Sequence, residues 1–357
     1  MSLAGGVPSS GQRTTSSTAD RPERTYALWV SWNTHRRTTG LCAAWGVPLH
    51  VFRSKRHGLG RWIEQAAETH RLLRRHKPEI LFVQNPSLAL TVLAVLTRRR
   101  FGYYLVVDAH NEGVRPFDRP GAFVGWLTRR LLKSADVTIV TNAALMKDVS
   151  IAGGRALVLP DSLPVPPLLV PTTRAIRNAA DVVVIASFRS DEPIVAIIAA
   201  AAAMPEISFA FSGDARRFRE KTAPLPANVR FTGFLPDHLY WQLLLQARVI
   251  CDLNLKPDCL VCGAYEGLAL AKPLVLSDNP PTREIFGPAA ILTRSAPEEI
   301  ESALRAALEQ RDRLEANARE LRKTFRARWQ TQAAATWDAI RAGAAAASRQ
   351  TPGRAHR

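Results

Sequence analysis

Short apolar runs alternate along the chain with segments of helix length. In the first half the runs are TYALWVSW (25–32), VPLHVF (47–52), PEILFVQ (78–84), YYLVVDAH (103–110), DVTIVTN (136–142) and ALVLP (156–160). Between them lie amphipathic stretches such as WIEQAAETHRLL (62–73) and the segment 121–134. Continuous apolar strands separated by helices predict a parallel sheet covered on both faces. The stretch LPDSLPVPPLLVPTT (159–173) holds five prolines and has no periodicity, so it predicts an extended linker. The pattern then restarts with strands over 181–187, 207–213, 228–234, 248–255, 273–278 and 289–293, and helices over 194–204 and 238–247. A long Ala/Arg/Glu helix at 296–322 and an Ala-rich helix at 325–345 close the chain.

The expected fold is α/β, with two doubly wound Rossmann-like domains facing across a cleft. The expected parts are a disordered tail (1–24), an N-terminal domain (25–160) and a Pro-rich linker (161–178). A C-terminal domain (179–323), a helix packing back toward the N-terminal domain (324–345) and a second tail (346–357) follow. In such folds ligands bind outside the carboxyl ends of the strands.

Charge sharpens this picture. The chain of 357 residues carries a net charge of +17. Residues 21–160 hold 22 Lys/Arg against 9 Asp/Glu, whereas residues 161–357 hold 25 against 21. The excess therefore belongs to the N-terminal half and predicts a polyanionic or phosphorylated partner, or an anionic lipid surface. Arg98-Arg99-Arg100 and GAFVGWLTRRLLK (121–133) suit an interfacial helix. The alternative is that Trp126, Leu127 and Leu131 face the sheet while Arg129, Arg130 and Lys133 are merely solvated. No nucleic-acid-binding motif is present, so no nucleic-acid partner is expected. The first 20 residues lack the apolar core of a signal peptide, and no apolar run is long enough to span a bilayer. A cytoplasmic location is expected, with peripheral attachment to the inner face of the membrane as an option.

Chemistry concentrates in PDCLVCGAYEGLALAKPLVLSD (257–278). Cys251, Cys259 and Cys262 offer three metal ligands without a fourth, so reduced thiols and no metal site are expected. The dinucleotide G-x-G-x-x-G, the P-loop, the G-x-S-x-G elbow and an Asp-x-Asp pair are all missing. The loop 256–263 opens a helix whose free N–H groups favour an anion, with Gly263 permitting close approach. Glu266, read as part of the first helical turn, is on local grounds equally a carboxylate that suits the helix dipole.

The stretch YEGLALAKPLVLSDNPPTREIFG (265–287) resembles the donor-binding region of GT-B retaining glycosyltransferases of the family-4 type. VQNPS (83–87), VVDAHN (106–111), ADVTIVTN (135–142) and VLPDSLP (158–164) extend the resemblance over nearly the whole chain after residue 24. It implies a transferase moving a sugar from a nucleotide-diphosphate donor to a sugar or lipid-linked hydroxyl acceptor with retention, in polysaccharide or glycolipid assembly, with no cofactor. By this resemblance Glu266 holds the ribose hydroxyls, and His110 and Asp258 face the donor sugar. Asp258 stands where the family has a glutamate. Ser187 and Glu192 stand where the family places the Arg and Lys that hold the diphosphate, leaving Arg189, Lys256 and Lys272 as substitutes. Asn33, His35, Asn85 and Asn111 fall on the acceptor side; for His110, a helix-capping role is the alternative. A sugar-nucleotide epimerase or hydrolase of the same fold, or a non-catalytic partner subunit, are the competing functions.

Overall fold

The computed structural model describes residues 26–85, 87–116, 121–167, 180–218 and 224–350. The N-terminal domain runs β1 (Ala27–Ser31), α1 (Arg36–Trp45), β2 (Leu49–Val51), α2 (Gly58–His76), β3 (Ile80–Asn85), α3 (Leu88–Phe101), β4 (Tyr104–Ala109), α4 (Asn111–Val114), α5 (Ala122–Ser134), β5 (Val137–Val140), α6 (Ala143–Ile151) and β6 (Ala156–Val158). The C-terminal domain runs β7 (Val182–Ile185), α7 (Ile194–Ala202), β8 (Phe209–Ser212), β9 (Val229–Gly233), α8 (Asp237–Gln246), β10 (Val249–Asp252), α9 (Cys262–Ala269), β11 (Leu274–Ser277), α10 (Pro280–Phe286), β12 (Ala290–Thr293) and α11 (Pro297–Glu309). Helix α12 (Arg311–Arg349) ends the described chain. The expected N-terminal tail, and residues 168–178 of the expected linker, lie outside the described residues; residues 161–167 form neither helix nor strand.

Both sheets are six-stranded and parallel, in the orders β2-β1-β3-β4-β5-β6 and β12-β11-β10-β7-β8-β9. Their registers explain the apolar runs. Leu28, Leu81 and Leu105 lie side by side under α2, α3, α5 and α6, while Trp29, Phe82 and Val106 face the other way. Because side chains alternate across a strand, a run buried on both faces must be apolar throughout. In the second sheet Val184, Cys251 and Val275 form one such row. Cys251 is thus a core residue of β10.

Helix termini follow local chemistry. Asn142 and Asn279 cap α6 and α10 by accepting from Leu145 N and Thr282 N, and Pro280 opens α10 where a missing N–H costs nothing. Gly46 and Gly102 end α1 and α3 with left-handed backbone that glycine adopts freely. The closing helices differ from expectation. The chain breaks at Gln310, between α11 and α12, and α12 continues unbroken through residues 323–325. Alanine, arginine and glutamate favour helix everywhere, so composition supplies no terminator there.

Helix α12 bridges the two halves. Leu314 and Ala318 pack in the C-terminal cores, whereas Ala333, Ile340 and Ala344 pack on the N-terminal sheet. Trp337 stacks on Trp45 at 5.6 Å and tilts against Phe82 at 5.9 Å, and Trp329 Nε1 donates to Pro160 O at 2.9 Å. Among the described residues no helix is long and apolar enough to cross a membrane. Trp337→Ala removes the largest of these contacts. The expected cost is about 2–3 kcal/mol, below that of a fully buried tryptophan because Trp337 is half-buried. A lowered urea midpoint checks it.

Candidate active site

Each sheet reverses its winding once, between β1 and β3 and between β7 and β10. Loops leaving the strands there diverge and open a crevice at the carboxyl ends. The N-terminal crevice receives Asn33, His35 and Arg36 after β1, Asn85 at the end of β3, and His110, Asn111 and Glu112 after β4. Facing it are the β7 loop (187–193), the β10 loop (253–261) and α9.

The floor is a buried charge triad. Arg37 Nε donates to Asp108 at 2.8 Å and its Nη1 to Asp161 at 2.7 Å. Arg37 and Asp108 are 1% and 0% exposed at their side chains, so water supplies almost no solvation to either. Burial opposes the guanidinium charge, but Asp108 and Asp161 outweigh it and hold Arg37 above its ordinary value. Asp161 moves oppositely: burial pushes it up, Arg37 outweighs burial, and the carboxyl is held below 3.8. The triad ties α1 to β4 and to the segment leaving β6. It also places two histidines, since His35 precedes Arg37 by two residues and His110 follows Asp108 by two. Their rings lie 4.5 Å apart. Burial, then His110, holds His35 below its ordinary value and so neutral. His110 occupies the N-cap position of α4, yet its side chain makes no capping bond. His35 Nδ1, His110 Nε2, Asn85 Oδ1 and Asn111 Oδ1 are buried without a partner among the described residues. Asn85 Nδ2 donates to Gly113 O at 3.0 Å, which fixes the amide. Asn33 is exposed at the rim.

Glu266 lies in the second turn of α9, not the first, and is 6% exposed. Helix dipole and capping therefore do not account for it. Its carboxylate accepts from the Tyr240 hydroxyl of α8 and from Arg36 Nη1 of the opposite domain. Arg36 also donates to Asp237 at 2.9 Å. Burial raises the Glu266 carboxyl, and Tyr240 and Arg36 pull it partly back.

A second cross-cleft cluster joins the β10 loop to α4. Lys256 Nζ lies 2.8 Å from Asp191 and 3.2 Å from Glu112, with Arg189 Nη1 3.6 Å from the same Glu112 oxygen. Arg115 Nη1 donates to Asp258 at 3.0 Å, and Asn142 Nδ2 donates to the Asp258 carbonyl at 3.0 Å. Asp258 takes left-handed backbone at φ 55°, a conformation that aspartate tolerates better than most residues. Burial of Lys256 is outweighed by Asp191 and then Glu112, which hold its ammonium above the ordinary value.

Two expected ligand groups are placed otherwise. Gly263 N donates to Asp252 Oδ2 at 2.9 Å, so it is not free for an anion. A Cβ there would meet Asp252 and Ile185 at 2.4 and 2.6 Å, so the glycine lets α9 pack against β7 and β10. Asp252 itself is raised well above 3.8, first by burial and then by Glu192. Lys272 precedes β11 at the amino end of the sheet, opposite the cleft, where its charge faces Glu315 and Arg311. The Lys-Pro turn enters the strand, and entry is the wrong end for a ligand.

Ser187 and Glu192 close on each other. Glu192 accepts from Ser187 N at 2.9 Å, from Phe188 N at 2.9 Å and from Ser187 Oγ at 2.5 Å. The amides after β7 are therefore satisfied by an internal carboxylate. Sequence reasoning missed Arg36, Arg37, Glu112, Arg115 and Tyr240. The only local signal was the pair Arg36-Arg37 directly after His35, since these cations open a helix, where the dipole disfavours them. Among the described residues no three His, Cys, Asp or Glu side chains converge as a metal set.

Residues 18–161 match the model of a glycosyl transferase 4-like domain, and residues 189–337 match that of a glycosyl transferase-like domain. The chain belongs to the GT-B glycosyltransferases. Comparison with curated protein sequences finds no match. Among solved structures, this glycosyltransferase is similar to HepE of Anabaena in complex with UDP-glucose, at 17% identity over 88% of this chain and 99% of that one, with a TM-score of 0.67. Sucrose-phosphate synthase of Thermosynechococcus elongatus gives 15% identity over 90% and 100%, with a TM-score of 0.71. UDP-GlcNAc 2-epimerase of Methanocaldococcus jannaschii gives 14% over 79% and 92%, with a TM-score of 0.53. Likeness at these identities is likeness of fold.

In this glycosyltransferase, Arg37→Ala strands two carboxylates beneath the cleft. The expected loss is about 3–5 kcal/mol at neutral pH, read by urea unfolding. Because the folded-state value of Asp161 is depressed, its share of stability is full above 3.8 and lost as pH falls through the folded value. The difference between wild type and variant should therefore shrink on acidification below 3.8.

Proposed function

We propose that this glycosyltransferase moves a hexose from a nucleotide-diphosphate sugar to a hydroxyl acceptor with retention of configuration. The observation that carries the reading is the buried Glu266 at the carboxyl edge of the second sheet, held by Tyr240 and neutralised by an exchangeable arginine from the facing domain. A carboxylate so placed accepts two neighbouring hydroxyls, as a ribose offers. Lys256 and Arg189, with Arg115 beside them, supply the positive charge for a leaving diphosphate. Glu112 pairs with both cations and would compete with a diphosphate for them. HepE is known in complex with UDP-glucose, so UDP-glucose is the first donor to test.

In the proposed reaction the bond from the anomeric carbon to the diphosphate oxygen breaks, and a bond from the acceptor oxygen to that carbon forms on the same face. The electron pair leaves with the diphosphate, where fixed cations offset the growing charge. The acceptor proton passes to a diphosphate oxygen. His110 and Asp258 face the donor sugar, while His35, Asn85, Asn111 and the rim residue Asn33 receive the acceptor. A neutral His35 and unpaired amide oxygens suit a hydroxyl rather than a charged group. The cross-cleft contacts favour the closed cleft, which excludes water that would hydrolyse the donor. The acceptor is proposed to be a sugar or a lipid-linked sugar in cell-surface polysaccharide or glycolipid assembly, at the inner face of the membrane.

One observation favours a second reading. Glu192 fills the loop after β7 with negative charge, as suits a non-catalytic partner subunit that binds sugar nucleotides weakly or not at all. Incubation with UDP- and GDP-sugars, with and without candidate acceptors, separates the readings by product mass. Transfer to an acceptor is expected. Conversion of donor alone would mean an epimerase or hydrolase, and no turnover with any donor would mean the partner subunit. Glu266→Ala should raise the donor KM by about tenfold or more, and Lys256→Ala should lower kcat by about 10²–10³. Wild-type kinetics in both variants would overturn the site.

A further inference from the structure

The outer surface of the N-terminal domain carries large side chains that the fold does not use. Trp62 and Ile63 of α2 are 46% and 69% exposed, Leu96 of α3 is 72% exposed, and Phe123 and Trp126 of α5 are 69% and 54% exposed. The α5 residues that pack inward are instead Thr128, Leu131 and Leu132. Trp126 therefore does not face the sheet, and it stacks on Phe123 with centroids 6.0 Å apart. Exposed aromatics that contact each other rather than the core form a coherent patch, not scattered surface residues.

Position gives the patch meaning. Helices α2, α3 and α5 cover one face of the sheet and pack beside each other. They run opposite to the strands, so their first turns lie at the carboxyl edge, where the cleft opens. Trp62, Ile63, Phe123 and Trp126 all belong to the first two turns of α2 or α5. Basic residues accompany the aromatics along the same helices. Arg129 and Arg130 follow Trp126 by about one turn on α5, which holds no acidic residue, while Arg99 and Arg100 end α3 at the far edge beside Arg98, which pairs with Asp136. The two glutamates of α2, Glu64 and Glu68, pair with Arg56 and Arg71. A protein partner would need acidic side chains matched to this spread. An anionic bilayer meets aromatic wedges and unfocused basic charge together.

We propose that the outer face of α2, α3 and α5 docks on an anionic lipid bilayer, with the aromatic groups at the interface and the cleft mouth against the headgroups. Docking stands apart from the chemistry; that it delivers a lipid-linked acceptor to His35 and Asn85 rests on the transferase reading.

The test is sedimentation of the full chain with vesicles of phosphatidylcholine and phosphatidylglycerol, and with phosphatidylcholine alone. Wild type should sediment with the anionic vesicles and stay in solution with the neutral ones. The double variant Phe123→Ser/Trp126→Ser should partition at least about tenfold less at moderate salt, and Arg129→Glu/Arg130→Glu should lose binding at low salt. Both should bind UDP as wild type does in a parallel titration, since no altered residue lies in the cleft. No sedimentation of wild type at low salt overturns the proposal, and points to a protein partner or none. Binding unchanged in the aromatic variant also overturns it, reducing the attachment to charge alone. Wild-type vesicle binding without UDP binding would leave docking in place and remove the donor site.

Discussion

Everything at the cleft rests on a guanidinium taken out of water. Arg37 is buried between Asp108 and Asp161, contributed by two other segments of the chain, and removing it would leave two carboxylates facing each other without a cation. The triad fixes the start of α1 against the end of β4. Two residues from it in either direction stand His35 and His110, so their ring contact is a consequence of the salt bridges. A hydrophobic replacement could stabilise the domain equally well. It would not impose a direction on the loops after β1 and β4, and direction is what a site requires.

Above that floor, the two domains touch through charges that are only half satisfied. Arg36 neutralises Glu266 but is itself 54% exposed at its side chain, and Glu112 reaches Lys256 and Arg189 from a position 39% exposed. Exposed pairs of this kind contribute little individually. They join the two domains across the cleft and are weak enough to yield to a ligand with better geometry. A diphosphate carries more charge than one carboxylate, and a ribose satisfies Glu266 without an arginine. The same logic applies to Glu192, half-buried in the loop after β7. The amides after β7 need an acceptor, and here the chain provides its own.

Much of the fold was legible because apolar runs buried on both faces have little alternative to a parallel sheet. Strand positions and the two-domain plan followed from periodicity and the proline stretch. The break at Gln310 did not, since composition is uniformly helical on both sides of it. At the site, the family resemblance singled out Glu266 and His110, but the helix holding Glu266 starts at Cys262, inside the segment read as a loop, which puts Glu266 in the second turn. Arg37 was not legible. Its partners lie 71 and 124 residues away, and nothing near it marks it as buried. Tyr240 was hidden in an apolar helix, where an aromatic reads as core. Lys272 was misassigned because its turn resembles a ligand loop but enters its strand from the amino end. Long-range pairing and strand polarity are properties of the assembled sheet, not of a local window.

The central claim is that the cross-cleft acids and bases hold the place of a nucleotide-diphosphate ligand. Its most direct test is calorimetric titration of UDP into wild type and Glu112→Gln. Freed of their competing carboxylate, Lys256 and Arg189 should bind the diphosphate about two- to fivefold more tightly in the variant. Equal or weaker binding in Glu112→Gln would contradict the account.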